Sequence, residues 1–141
     1  MTDGVPKRQS VELDNSSCVV EKFCQQLLKQ AGEAGFGDDE LFGIHLALEE
    51  AFTNAVKHGN CGDPDKKVNI EYLITPKLFD ITISDEGCGF VPDEVPDPRD
   101  DENIFKPGGR GLLLMNAYMD AVEYNQAGNS VHMIKHNVSE N

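Results

Sequence analysis

Three short pieces of this chain carry side chains whose types and spacing could do chemistry together. In Glu50-Ala-Phe-Thr-Asn54 a carboxylate and an amide stand four residues apart, a spacing that stacks them on one face of a helix. Glu49 lies about 100° further around such a helix, so it cannot share the task of Glu50. In Asp85-Glu-Gly-Cys-Gly89-Phe an aspartate closes an alternating segment, and an ionised aspartate accepts a hydrogen bond from an exocyclic amine such as adenine N6–H. Gly87 and Gly89 leave the backbone free to approach a ligand closely. In Lys106-Pro-Gly-Gly-Arg110-Gly-Leu-Leu-Leu-Met115 a glycine-rich turn opens an apolar helix, where outward N–H groups suit phosphate oxygens and Lys106 and Arg110 supply cations.

Taken singly, each piece has an ordinary reading. The first is a solvated helix face, the second a strand-ending turn, the third a flexible loop. Neither the G-x-x-x-x-G-K-[ST] loop nor a G-x-G-x-x-G turn after a first strand is present, which removes the two commoner nucleotide folds.

The flanking patterns say what must position these pieces. Gln9 to Leu13 alternates as a short strand, and Asn15, Ser16 or Ser17 can cap a helix with apolar positions Val19, Val20, Phe23, Leu27 and Leu28, ended by Gly32, Gly35 and Gly37. Asp38 or Asp39 can cap a second helix running to about His58, where Gly59 stops it. Its stripe of Leu41, Ile44, Leu48, Ala51, Phe52 and Ala55 faces the core, and Glu50 and Asn54 share another face with Gly43 and Lys57. Lys67 to Ile74 and Lys77 to Ser84 alternate as an antiparallel hairpin. From Phe90 to Gly109 four prolines and six acids break every pattern, and a loop of such length inside a compact domain reads as a lid. Gly111 to Met119 forms a short helix, and Ala121 to Gln126 with Ser130 to His136 closes the chain as a hairpin.

Composition narrows the partners. At 141 residues the expectation is one domain over 1–141, cytoplasmic, because no apolar segment approaches the ~20 residues of a membrane span and Met1 to Ser10 is polar. Cys18, Cys24, Cys61 and Cys88 form no C-x-x-C pair and read as reduced thiols, Cys88 as a small filler between glycines. The formal charge of −13 repels nucleic acid and the anionic membrane leaflet, so neither is an expected partner. A polyanion binds only where clustered cations, N–H groups and a metal ion reverse the local field.

E-x-x-x-N on a helix, D-x-G-x-G after a strand, and G-x-G-L opening a helix beyond a loop are together far more specific than any one alone. In this order they resemble the GHKL ATPases, and Glu49-Glu-Ala-Phe-Thr-Asn-Ala-Val-Lys-His-Gly59 is most similar to the bacterial anti-sigma factor serine/threonine-protein kinases. The resemblance covers nearly the whole chain. It implies the Bergerat fold: a two-layer α/β (α+β) sandwich whose mixed, mostly antiparallel sheet is covered on one face by about three helices, with an ATP lid at about 90–109. It also implies ATP and Mg²⁺ as cofactors, with Glu50 as catalytic base, Asn54 as Mg²⁺ ligand, Asp85 on adenine, and Gly87, Gly89, Gly109 and Gly111 as nucleotide-loop glycines. Lys57, His58, Phe90, Lys106, Gly108, Arg110 and Leu112 complete the expected nucleotide-binding set, Arg110 on its charge alone.

Length favours a stand-alone partner-switching regulator, which binds a sigma factor and phosphorylates an antagonist protein, over relatives with a transducer or histidine-bearing domain. Relatives of this kind commonly dimerise. Two other readings share the same residues: a protein-sequestering module that keeps ATP as a structural ligand, and a detached histidine-kinase-like module serving a separate phosphoacceptor.

Overall fold

A computed structural model describes residues 8–60, 63–87, 115–125 and 129–137, apart from the His58 side chain. The order is β1 (Gln9–Asp14), α1 (Ser17–Ala34), α2 (Asp38–Thr53), a π-helical turn (Asn54–Gly59), β2 (Lys67–Ile74), β3 (Leu78–Asp85), β4 (Ala121–Tyr124) and β5 (Ser130–His136). Residues 115–118 are helical. The expected lid and the glycine-rich turn before Met115 lie outside the described residues.

Local chemistry explains the helix limits. Ser16 is extended (φ −137°) and its Oγ accepts from the Val19 N–H, satisfying one of the orphan donors of α1. At the other end Gly35 takes φ 119°, its N–H reaching Gly32 O and that of Phe36 reaching Ala31 O, which ends the helix and turns Phe36 into the core. Of the expected stops, Gly35 alone makes this turn; Gly32 is inside α1, and Gly37 is the cap of α2. Asp38 and Asp39 are therefore first-turn residues, where the helix dipole favours their charge.

The sheet has the order β1-β2-β3-β5-β4 and every described pairing is antiparallel. Alternation puts Val68, Ile70 and Tyr72 of β2, Phe79, Ile81 and Ile83 of β3, and Val131 and Met133 of β5 on one buried face. Registry aligns Ile70 with Ile83 and Ile83 with Val131, so the apolar rows run straight across the strands. Leu27 and Ala31 of α1 and Ile44, Ala47, Leu48 and Ala51 of α2 cover that face, making a two-layer α/β sandwich. Edge-on ring pairs Phe23–Tyr72 and Phe36–Phe79 lock the layers.

The opposite sheet face carries polar residues. There Asp80, 7% exposed, is held by Arg8 Nη2 and His132 Nε2, each at 2.9 Å, so a carboxylate largely withdrawn from water keeps its hydrogen bonds. No helix among the described residues is long and apolar enough to cross a membrane.

Leu27 is fully enclosed between the helices and the sheet. Leu27→Ala is expected to lower the unfolding free energy by about 2–5 kcal/mol, read by urea titration; a loss below about 1 kcal/mol would show that the layers do not meet there.

Candidate functional site

Period-two alternation carries the inward row of β3 from Phe79 through Ile81 and Ile83 to Asp85. Asp85, aligned with Val68, thus points at the helix layer from the end of its strand. What it meets is Gly59. A Cβ on Gly59 would fall inside the Asp85 carboxylate, and one on Gly87 would fall on the Gly59 carbonyl, so two backbones and an acid share a space that admits no side chain.

The approach is made possible by the π turn. The Asn60 N–H bonds Ala55 O, five residues back, so the helix widens as it leaves α2. Asn60 is 1% exposed and pins the result: its Nδ2 donates to Asn15 Oδ1 and Lys67 O, both at 3.0 Å, and its Oδ1 accepts from the Glu86 N–H at 2.8 Å. One amide therefore ties together the start of α1, the start of β2 and the turn after β3. The Gly87 N–H donates to Asp85 Oδ1, and the Asp85 N–H donates to Asn129 O.

Asn54 opens the π turn and is buried, its Nδ2 donating to Tyr124 Oη at 3.2 Å. Tyr124 lies on the inward row of β4, opposite Val131. Burial pushes its phenol above the usual range; the Asn54 bond pulls it down, and the charges of Asp85 and Glu50 push it up. Glu50 lies one helical turn before Asn54, and the π turn that Asn54 opens ends at Gly59 against Asp85, so the first two sequence pieces meet along one stretch of chain.

Glu50 is partly buried and also lines a groove of about 360 Å³ with Glu49, Thr53 and Lys57, facing Val20, Glu21 and Cys24 of α1. It thus borders both this groove and the Asn54–Tyr124 region. Glu49 instead stands 3.3 Å from the His45 ring, off line for a hydrogen bond. Cys24 is pushed up to about 12 by burial, then by Glu21 and Glu49, and stays an unreactive thiol.

The face assigned to Gly43, Glu50, Asn54 and Lys57 is not one solvated strip. Tyr118 packs on Gly43, Asn54 is buried, and Lys57 is exposed. Residues from beyond the long loop cover part of it. His58 belongs to the π turn. Gly89, Phe90, Lys106, Gly108, Gly109, Arg110, Gly111 and Leu112 lie outside the described residues. Sequence reasoning missed Asn60, Tyr124 and the structural part of Gly59; only Gly59, as a helix stop, left a signal.

Among the described residues no three His, Cys, Asp or Glu side chains gather as a metal site. With Nδ2 committed to Tyr124, Asn54 Oδ1 has no hydrogen-bond donor among the described residues. A single amide oxygen suits Mg²⁺, which is commonly held by one or two protein groups together with nucleotide phosphates.

This arrangement defines a class. Residues 18–135 match the histidine kinase-like ATPase domain family, and the chain belongs to it. Within that class it is 34% identical to the serine-protein kinase RsbW of Listeria monocytogenes, over 75% of this chain and 72% of that protein. It is also 36% identical to the anti-sigma F factor of Oceanobacillus iheyensis, over 69% and 70% of the two chains. A crystal structure of RsbU and RsbW domains from Mycobacterium tuberculosis shares the fold, with a TM-score of 0.61 and 15% identity. That match covers 93% of this chain and 32% of the larger one.

Two outcomes follow from the Asp85–Gly59 contact. Gly59→Ala is expected to displace the Asp85 carboxylate and cost about 1–3 kcal/mol in denaturant titration, because the added Cβ would fall on that carboxylate. The Asp85 carboxyl is held above its usual range by burial, partly offset by the Gly87 N–H and the Lys66 charge. A carboxyl raised on folding binds its proton more tightly folded than unfolded. Its ionisation therefore costs stability, fully above the folded value and not at all below the unfolded one. Asp85→Asn should leave the neutral-pH melting temperature unchanged or higher and remove a step from the acid limb just above the ordinary carboxylate range; a drop of several degrees at neutral pH would contradict this.

Proposed function

We propose that this chain is an ATP-dependent serine/threonine-protein kinase and anti-sigma factor, which sequesters a sigma factor and phosphorylates an antagonist protein in a partner-switching system. The observation that carries the reading is one stretch of chain: Glu50 stands a helical turn before the buried Asn54, whose amide Tyr124 holds, and the π turn that Asn54 opens ends at Gly59 against the Asp85 carboxylate. The names of the relatives, a serine-protein kinase and an anti-sigma factor, supply the reaction class.

Asp85 accepts the adenine N6–H from its half-buried strand end. Gly89, Phe90, Gly108, Gly109, Gly111 and Leu112 belong to the nucleotide-binding segments, and Lys106 and Arg110 neutralise phosphate. Lys57 and His58 complete the set from the π turn. Asn54 Oδ1 contributes one ligand to Mg²⁺, which when bound neutralises charge on the phosphates. Glu50, at the rim of the groove between α1 and α2, accepts the proton of the incoming serine or threonine hydroxyl. Positioning and electrostatics do most of the work, since phosphoryl transfer asks little covalent chemistry of the protein.

The charge of −13 suits a basic protein such as a sigma factor and disfavours direct nucleic-acid contact. The proposed setting is the cytoplasm. A sequestering module without transfer would have no use for a base at position 50, and that distinguishes the two readings experimentally.

A pull-down from native lysate, followed by incubation with labelled ATP, is expected to transfer label to a serine or threonine of a bound partner. Glu50→Gln should keep ATP affinity while transfer falls about 10²–10⁴-fold. Asp85→Asn should weaken ATP itself by one to two orders of magnitude, roughly the worth of a charged hydrogen bond. Undiminished transfer by the Glu50 variant would sink Glu50 as the base, and no transfer to any bound partner by the wild-type chain would sink the kinase reading.

A further inference from the structure

A carboxamide is a two-faced ligand. Its oxygen accepts a cation, its NH₂ repels one, and a half-turn about the last side-chain bond exchanges them. Asn54 can serve a nucleotide-bound Mg²⁺ only if something holds the NH₂ end elsewhere.

The helix that carries Asn54 does not do this. Its backbone N–H is spent on Glu50 O and Ala51 O, and the side chain leaves α2 where the π turn begins. The restraint comes from seventy residues away, where Asn54 Nδ2 donates to Tyr124 Oη at 3.2 Å. We propose that Tyr124 is the positioning residue for Asn54: by accepting the amide N–H it fixes Oδ1 as the end presented to Mg²⁺. This rests on the ATP-binding reading above and adds a residue to it.

The choice of a phenol has a physical reason. Glu50, one helical turn before Asn54, and Asp85, against Gly59 at the far end of the π turn, already bring two carboxylates to this stretch of chain. A carboxylate at position 124 would accept the same N–H but would add a third negative charge beside the phosphates. A neutral hydroxyl on a rigid ring accepts without that charge. The ring also packs against the core beside Val131, which is why the oxygen and the packing must be tested separately.

Tyr124→Phe separates them, since it keeps the ring and removes the oxygen. ATP affinity of the full chain is measured by calorimetry in MgCl₂ and in EDTA. The variant should lose about two- to tenfold in MgCl₂, the worth of one neutral hydrogen bond, and nothing in EDTA. On an Asn54→Ala background the same change should have no further effect, because Tyr124 acts through that amide. Tyr124→Phe with the full Mg²⁺ enhancement, or a loss that adds in full to that of Asn54→Ala, overturns the inference while leaving the nucleotide reading standing. A wild-type chain that binds no ATP in either buffer overturns both; one that binds ATP without any Mg²⁺ enhancement overturns the inference alone. Should the Phe variant not fold, the ¹⁵N spectrum of the wild-type protein decides: the Asn54 side-chain pair, identified by its loss in Asn54→Ala, should exchange slowly with solvent, and rapid exchange overturns the assignment.

Discussion

The meeting of Gly59, Gly87 and Asp85 is a contact between two backbones with a carboxylate wedged beside them, and little else in the site could stand where it does without it. It requires the chain after α2 to come closer to the end of β3 than ordinary side chains allow. Two glycines provide the room. The widened turn from Asn54 to Gly59 provides the reach, and the Asn60 amide holds the junction by bonding three separate segments. Asn60 has no freedom to act otherwise, because a buried amide left unbonded would cost more than the bonds return. A structural residue thus sets the position of the candidate site residues.

The electrostatics run against stability in the same place. A chain with a formal charge of −13 sets Asp85 partly out of water against Gly59 and stands Glu50 one helical turn before Asn54. Core packing supplies the compensation, since the row from Ile70 through Ile83 to Val131 stops one step short of the acid. Unfavourable charge collected at a site, and balanced by an ordinary core around it, is the pattern expected where binding rather than folding has selected the residues.

Much of this was legible in local pattern. Strand β2 has the limits that its alternation indicates, Lys67 to Ile74, and Ser16 caps α1 because a hydroxyl before an apolar helical run has few other uses. The Bergerat two-layer architecture and the family followed from three motifs read in order. What escaped was non-local or below the resolution of periodicity. A π turn adds a residue without a break in the apolar and polar pattern of Asn54 to Gly59, so a 100° wheel runs straight through it. Asn60 looks like any loop asparagine until Asn15, Lys67 and Glu86 are seen around it. Tyr124 reads as one more residue of an alternating strand, and its partner lies seventy positions earlier. Strand order, with β5 inside β4, has no local signature at all.

Tyr124 ends a strand of four residues at the margin of the sheet, paired among the described strands with β5. Marginal strands open more cheaply than the whole protein unfolds. The Asn54 amide is therefore steadied by one of the most easily loosened parts of the fold, and its orientation lasts only as long as that end stays zipped. Fraying at the rim, rather than any movement of the helix that bears the amide, is the motion that would let its two ends trade places.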